Sequence, residues 1–282
     1  MNKTIEIGKI NYLKVERDTE YGLFLIAQNF EEVLLPNAYV IDAEMPIGSI
    51  VEVFIYTDSE DRPVASTKYP YAMLGEFGYF TVVDYQRYGA FVNWGLPKDL
   101  FVPLSQQKCH FNIGTKFILR VCLDKETGRL YGTHKIGKWL SHEIKDLKES
   151  QKVNVLVLSK TPLGYKVIVE NLYEGMLFDN EIFEQLSVGD RKEVYIKKIR
   201  LDGKLDLTLQ PIGKKATSDI FETKVLDILK NKGGVVAINS KSDAGEIQKL
   251  FGLSKKSFKR SLTSLLEKDK IQLENSGIKL KN

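Results

Sequence analysis

Two hydrophobic periods divide this chain. Up to about residue 212 the apolar residues fall in short alternating or continuous runs, the pattern of β-strands; after Thr217 they recur every three to four residues, the pattern of amphipathic helices. The β-rich part also repeats itself. Gly22, Gly89 and Gly164 are each followed, 26, 25 and 25 residues later, by Gly48, Gly114 and Gly189. Each second glycine opens a strand-like run, such as Ile50-Val51-Glu52-Val53-Phe54-Ile55 or Lys116-Phe117-Ile118-Leu119-Arg120-Val121. Fourteen residues ahead of the first glycines stand Gly8, Gly75 and, in the third copy, Ser150. Polar turns at Asp61-Arg62, Gly128-Arg129 and Gly203-Lys204 close the copies. A unit of about 65 residues with several short strands has the size of a five-stranded barrel.

The pattern predicts barrels over residues 1–70, 71–138 and 150–213. The segment 139–149 reads as a linker, a short helix with Leu140, Ile144 and Leu147 on its apolar face. Lys214-Lys215-Ala216-Thr217 ends the β-rich part. Over 214–282, Ile220, Phe221, Val225, Ile228 and Leu229 share one helical face, which Gly233-Gly234 stops. Asp243 with Glu246 starts a second helix like a capping box, carrying Ile247, Leu250 and Phe251. A third, from Ser254 to about Asp269, aligns Phe258, Leu262, Leu265 and Leu266. A hairpin follows, Lys270 to Glu274 and Ile278 to Leu280, turning at Asn275-Ser276-Gly277. Three helices and a terminal hairpin are the plan of an α+β winged-helix domain.

Charge sharpens this picture. The net charge is +4 over 282 residues, but it is unevenly placed: −6 over 1–74, +3 over 75–150, 0 over 151–213 and +7 over 214–282. A polyanion would meet the second and last segments first. No apolar run approaches the length that crosses a bilayer, and residues 1–6 carry no secretion-signal pattern. The two cysteines, Cys109 and Cys122, are too few for a disulfide framework and fit a reducing cytoplasm. With His110, His134 and His142 they have no zinc-ligand spacing, and no nucleophile motif or phosphate-binding loop is present. The chain therefore reads as a cytoplasmic protein that is not an enzyme and needs no cofactor or metal. Asp58, Glu60 and Asp61 form an acidic cluster in a turn, read as a solvated loop.

Candidate chemistry lies on the barrels. In Gly89-Ala90-Phe91-Val92-Asn93, Ala90 and Val92 point to one face and Phe91 to the other. With Ala90 and Val92 filling the barrel, Phe91 is outside, flanked by Tyr88, and a nucleic-acid base is a natural partner for exposed rings. Arg129 is placed to meet phosphate. The first copy repeats the set as Tyr21, Phe24 and Arg62. In the third, Leu163 and Lys166 stand in place of the two aromatics, while Phe178 supplies a ring and Lys204 the charge. The alternative is that Phe24 and Phe91 pack between barrels, with the acidic first copy docked on a neighbour. In the last domain, Lys255, Lys256, Lys259 and Arg260 lie opposite the apolar stripe of the third helix, either a nucleic-acid-binding face or a solvated one.

The run of glycine, strand, Tyr-Gly-Ala-Phe-Val, a second glycine-led strand and Gly-Arg resembles the RNA-binding S1 domain, an OB-fold barrel, and the middle copy matches it best. The resemblance implies RNA contacts at Tyr88, Phe91 and Arg129, and at Tyr21, Phe24 and Arg62. It also implies a histidine on the third strand, where this chain has Pro36, Pro103 and Phe178. The order of three S1-like barrels and a winged helix resembles the bacterial conserved virulence factor B (YitL-like) family, with its most specific marker running from Gly233-Gly234 to Lys259-Arg260. This implies a non-enzymatic RNA-binding regulator that holds single-stranded RNA and acts in post-transcriptional control. Two other readings remain: a DNA-binding regulator that grips duplex through the winged helix, and a ribosome- or polymerase-associated scaffold whose acidic first barrel meets a protein partner.

Overall fold

The computed structural model describes residues 1–41, 45–182, 184–211, 214–274 and 277–281. Three closed five-stranded barrels are followed by a winged-helix domain, a mainly β multidomain architecture. The first barrel comprises β1 (Ile10–Thr19), β2 (Gly22–Ile26), β3 (Glu32–Pro36), β4 (Ile50–Thr57) and β5 (Pro63–Ser66). The second comprises β6 (Phe77–Gln86), β7 (Gly89–Asn93), β8 (Leu100–Pro103), β9 (Lys116–Leu123) and β10 (Leu130–Thr133). The third comprises β11 (Lys152–Thr161), β12 (Gly164–Val169), β13 (Tyr173–Phe178), β14 (Arg191–Ile199) and β15 (Leu205–Thr208). In each, the strand order around the barrel is first, second, third, fifth, fourth, with the third and fifth strands parallel. Closure leaves the sheet no long free edge.

The repeated residues mark the closure points of the barrel. Gly22, Gly89 and Gly164 begin the second strands and pair directly with Pro36, Pro103 and Phe178. A Cβ on these glycines would lie 2.1, 2.3 and 2.1 Å from the carbonyl oxygens of Leu35, Val102 and Leu177. The third strand passes so close that no side chain fits. Each first strand bulges at the same place, after Val15, Val82 and Val157. The bulge bends the strand so that it can pair on both sides of the barrel. There the valine carbonyls accept from the N–H groups of Gly48, Gly114 and Gly189, at 2.7, 2.8 and 2.9 Å. The distance from hairpin to bulge contact therefore fixes the spacing of 25 or 26 residues. Gly8, Gly75 and Ser150 donate to Ile55, Val121 and Ile196 of the fourth strands and seal the other end.

The chain divides into two compact units, Met1–Leu140 and Ser141–Asn282. Within the first, Leu13, Val15, Leu25, Leu35, Val53 and Ile55 fill the first barrel. Phe54, Tyr56 and Val64, on the outer side of the same barrel, pack instead with Ala72, Trp94 and Leu96 of the second. Phe54 meets Trp94 edge-on, with ring centroids 6.0 Å apart, and the Leu74 amide donates to the Gly8 carbonyl at 2.9 Å. The first barrel is thus docked on the second, through β4 and β5 and not through Phe24.

In the second unit, the helix expected over 139–149 does not form. A short 3-10 turn covers Ile136–Trp139 at the end of the first unit. The following chain then runs irregularly along the third barrel, with Ser141 bridged to Tyr173. Ile144 and Leu147 pack on that barrel's core. An isolated helix of about ten residues is marginal, and laying the segment on the barrel partly buries Ile144 and Leu147 without one.

The winged-helix domain contains α1 (Lys214–Asn231), β16 (Val235–Val236), α2 (Ala244–Phe251), α3 (Lys255–Glu267), β17 (Ile271–Glu274) and β18 (Gly277–Leu280), with sheet order β16-β18-β17. The first helix begins at Lys214, inside the segment read as the end of the β-rich part. It ends where the Gly234 amide donates to the Leu229 carbonyl at 2.7 Å. Asp243 caps α2 through Gly245 N–H at 2.6 Å, and Ser254 caps α3 through Ser257 N–H at 3.1 Å. Phe221, Val225, Leu229, Ile247, Phe251, Phe258, Leu262 and Leu265 are buried together. Leu266, expected on this face, is exposed, one position around the helix from Leu265. The side chain of Ile220 and the turn at Asn275-Ser276 lie outside the described residues. Among the described residues no helix is long and apolar enough to cross a membrane.

Candidate nucleic-acid interface

The hairpin between β6 and β7 lifts Tyr88 into solvent, 58% exposed, with the Arg87 guanidinium 4.3 Å from its ring. Ala90 and Val92 are fully buried and Phe91 is half-buried on the outer face, the alternation expected of β7. Phe91 pairs across the sheet with Phe101 of β8, ring centroids 5.1 Å apart. Phe101 pairs in turn with Tyr131 of the parallel strand β10. Phe91, Phe101 and Tyr131 therefore form one row of rings across three strands. The row and Tyr88 line a groove of about 1090 Å³, together with Trp94, Lys98 and Arg129.

Tyr88, Phe91 and Arg129, separate in sequence, thus share one surface. Phe101, Tyr131 and Lys98 complete it and were not among the expected residues. Alternation was the available signal for two of them: Phe101 precedes Pro103 by two, and Tyr131 follows Arg129 by two, so each pair shares a face. Lys98 had no such signal. Its ammonium reaches the Asp58 carbonyl at 2.5 Å and an Asp61 carboxylate oxygen at 3.3 Å, both on the first barrel. The second Asp61 oxygen accepts from Arg129. The acidic loop is solvated at Glu60, as expected, but Asp61 is engaged by the second barrel. Asp58 accepts from Arg62, whose guanidinium is also paired to Glu60 at 2.9 Å. Burial pushes the Asp58 carboxyl up, but hydrogen bonds from the Arg62 side chain and from the Arg62 and Glu60 amides outweigh it and leave the pKa lowered. In the same groove, burial and then the charge of Asp84 raise the pKa of Asp99.

The equivalent rows in the other barrels have different chemistry. In the first, Phe24 pairs with Leu34 and Leu34 with Val64, a row with a single ring whose far end is buried against the second barrel. Phe24 is roofed by Arg17, 4.1 Å from its ring and itself held by Glu32 at 2.5 Å. Tyr21 is 68% exposed, and Arg62 is committed to Asp58 and Glu60. In the third, the row is Lys166, Met176 and Asp206. Lys166 and Lys204 both approach Glu174, at 3.9 and 3.4 Å, and Asp206 holds Arg200 at 2.6 Å. Phe178 lies half-buried opposite Gly164 with Arg200 5.8 Å from its ring.

On α3, Lys256, Lys259 and Arg260 are exposed, whereas Lys255 is half-buried with its ammonium 3.3 Å from the Lys241 carbonyl. Lys256, Lys259 and Arg260 thus share the outer face of α3, with Lys255 beside them in its first turn. Among the described residues no group of three or more His, Cys, Asp or Glu side chains is placed to hold a metal ion. Cys122 is buried, which raises its pKa, and Cys109 is exposed.

Comparison with known proteins bears on the same domains. Residues 7–68 match the S1 domain model, and residues 223–280 match the CvfB-like winged helix domain. The S1 match falls on the first barrel, not on the middle copy whose motif is most complete. Uncharacterized protein YitL of Bacillus subtilis is 27% identical over 273 residues, covering 93% of this chain and 90% of its own. Conserved virulence factor B of Staphylococcus saprophyticus is 23% identical over 282 residues, covering 97% and 94%. The chain is a homologue of these proteins. A solved structure from Streptococcus pneumoniae, described as a multidomain protein with nucleic acid binding domains, aligns over 98% of both chains at 21% identity with a TM-score of 0.42. S1 and winged-helix domains together point to nucleic acid as the partner.

Proposed function

We propose that this protein is a non-enzymatic, cytoplasmic RNA-binding regulator that holds single-stranded RNA in the groove of its second barrel and acts in post-transcriptional control. The observation that carries the reading is the Phe91–Phe101–Tyr131 row beside Lys98 and Arg129. Rings side by side offer stacking platforms to successive bases, each worth about 1–3 kcal/mol and tolerant of sequence, while nearby cations take the phosphates. A duplex keeps its bases stacked inside and cannot use such a row. In this reading the first barrel is chiefly a docked wall of the site. The third, with Lys166, Phe178 and Lys204, and the winged helix, with Lys256, Lys259 and Arg260, add weaker contacts to the same strand. Linking weak modules raises the effective concentration of each.

The test is titration of a labelled, pyrimidine-rich single-stranded RNA with the full chain at two salt concentrations. Binding that weakens with salt supports the reading; no binding at low salt overturns it. The exposed cations of α3 favour a second reading, a DNA-binding regulator. Salt-sensitive binding of duplex DNA, lost on charge reversal at Lys256, Lys259 and Arg260 and unaffected by Phe91→Leu, would favour that one.

A further inference from the structure

We infer that Asp61 of the first barrel occupies a phosphate position of the second barrel's groove, so that the docked barrel limits how tightly a strand is held. The inference rests on the groove being a nucleic-acid site. Asp61 presents one carboxylate oxygen to the Lys98 ammonium and the other to the Arg129 guanidinium. Two anionic oxygens on one centre, each facing a different cation, are also what the two non-bridging oxygens of a phosphodiester present. Of the three cations lining the groove, Lys98, Lys125 and Arg129, the first barrel holds Lys98 and Arg129 through Asp61.

The carboxylate is not there to serve the turn. Asp61 precedes Arg62 as Gly128 precedes Arg129 and Gly203 precedes Lys204, and all three residues are left-handed, with φ of +63°, +70° and +77°. Glycine makes this turn in the sister barrels, and aspartate is one of the few other residues that tolerates it. What aspartate brings to the first barrel is the acid. Its loop is also held in place. The Asp58 and Arg62 backbones pair at 2.9 Å, the Asp61 amide donates to the Asp58 carbonyl at 3.0 Å, and Arg62 clamps the Asp58 carboxylate. The barrel beneath is docked through Phe54 and Trp94. A strand entering the groove must therefore displace Asp61 from two cations before a phosphate can use them.

Removing the carboxylate should tighten RNA binding and steepen its salt dependence, because cations neutralised within the protein would instead release counterions on binding. The test compares wild type with Asp61→Asn and with Asp61→Gly, both compatible with the left-handed turn, in titrations of one single-stranded oligonucleotide at several salt concentrations. The expected gain is about three- to tenfold at low salt, from the strength of two partly exposed ion pairs. The slope of log Kobs against log salt should become more negative by about 0.7 for each additional phosphate that the freed cations neutralise. Wild type that binds, with both variants equal to it or weaker and unchanged in slope, overturns the inference and leaves the groove's function intact. Failure of wild type and both variants to bind at low salt overturns the groove reading itself.

Discussion

Replacing Phe91 tests the proposed stacking surface apart from the rest of the molecule. Phe91 is half-buried, and its main ring contact is Phe101 at 5.1 Å. Truncation to alanine removes that pair, worth about 0.5–1.5 kcal/mol beyond area burial, and leaves the barrel interior untouched, since Ala90 and Val92 fill it. Phe91→Leu keeps most of the apolar contact and removes only the π-face. If one base stacks on this ring, either variant should lose about 1–3 kcal/mol of binding, a five- to 150-fold rise in Kd. Fluorescence anisotropy with a labelled single-stranded RNA measures the loss, and thermal unfolding of the same samples measures stability. Phe101→Leu should weaken binding to a similar degree. The double variant should fall short of the sum, because neighbouring rings that share a strand are coupled. Wild type that binds while folded Phe91→Leu binds within about twofold of it would refute the assignment of bases to this row.

Three further outcomes follow from the same geometry. Trp94→Ala should destabilise the first unit by about 3–5 kcal/mol, the usual range for a buried aromatic, because Trp94 is buried against Phe54 at the contact between barrels; chemical denaturation measures it, and a loss below about 1 kcal/mol would mean the contact is not part of a shared core. Charge reversal at the exposed Lys256, Lys259 and Arg260 should weaken nucleic-acid binding and flatten its salt dependence with little change in melting temperature. Asp58, with a lowered carboxyl pKa, contributes stability that is present above the ordinary carboxylate range and lost as pH falls through its lower folded value; acid titration of unfolding should therefore show a smaller loss for Asp58→Asn than for wild type below about pH 4.

Much of this protein was determined by local sequence. The glycines and the alternating strands encode the barrel three times, because each contact they serve recurs at a fixed distance along the chain. Gly89 must face Pro103 closely, and Gly114 must reach the bulge at Val82. The winged helix was equally legible from its caps and apolar stripe. Periodicity placed Phe91 outside the barrel, and the same alternation would have placed Phe101 and Tyr131 beside it. What tertiary structure decided was the chemistry that each barrel presents on its outer row. The strand register set three rings in one row of the second barrel, one ring beside two aliphatic side chains in the first, and Lys166, Met176 and Asp206 in the third. The partner of Arg129 is Asp61, 68 residues away on another barrel, and no local pattern encodes that pairing. The segment 139–149 shows the same limit: its apolar spacing suited a helix, but the third barrel partly covers Ile144 and Leu147 without one. Periodicity records which residues seek burial, whereas the packing of one domain on another decides where they find it.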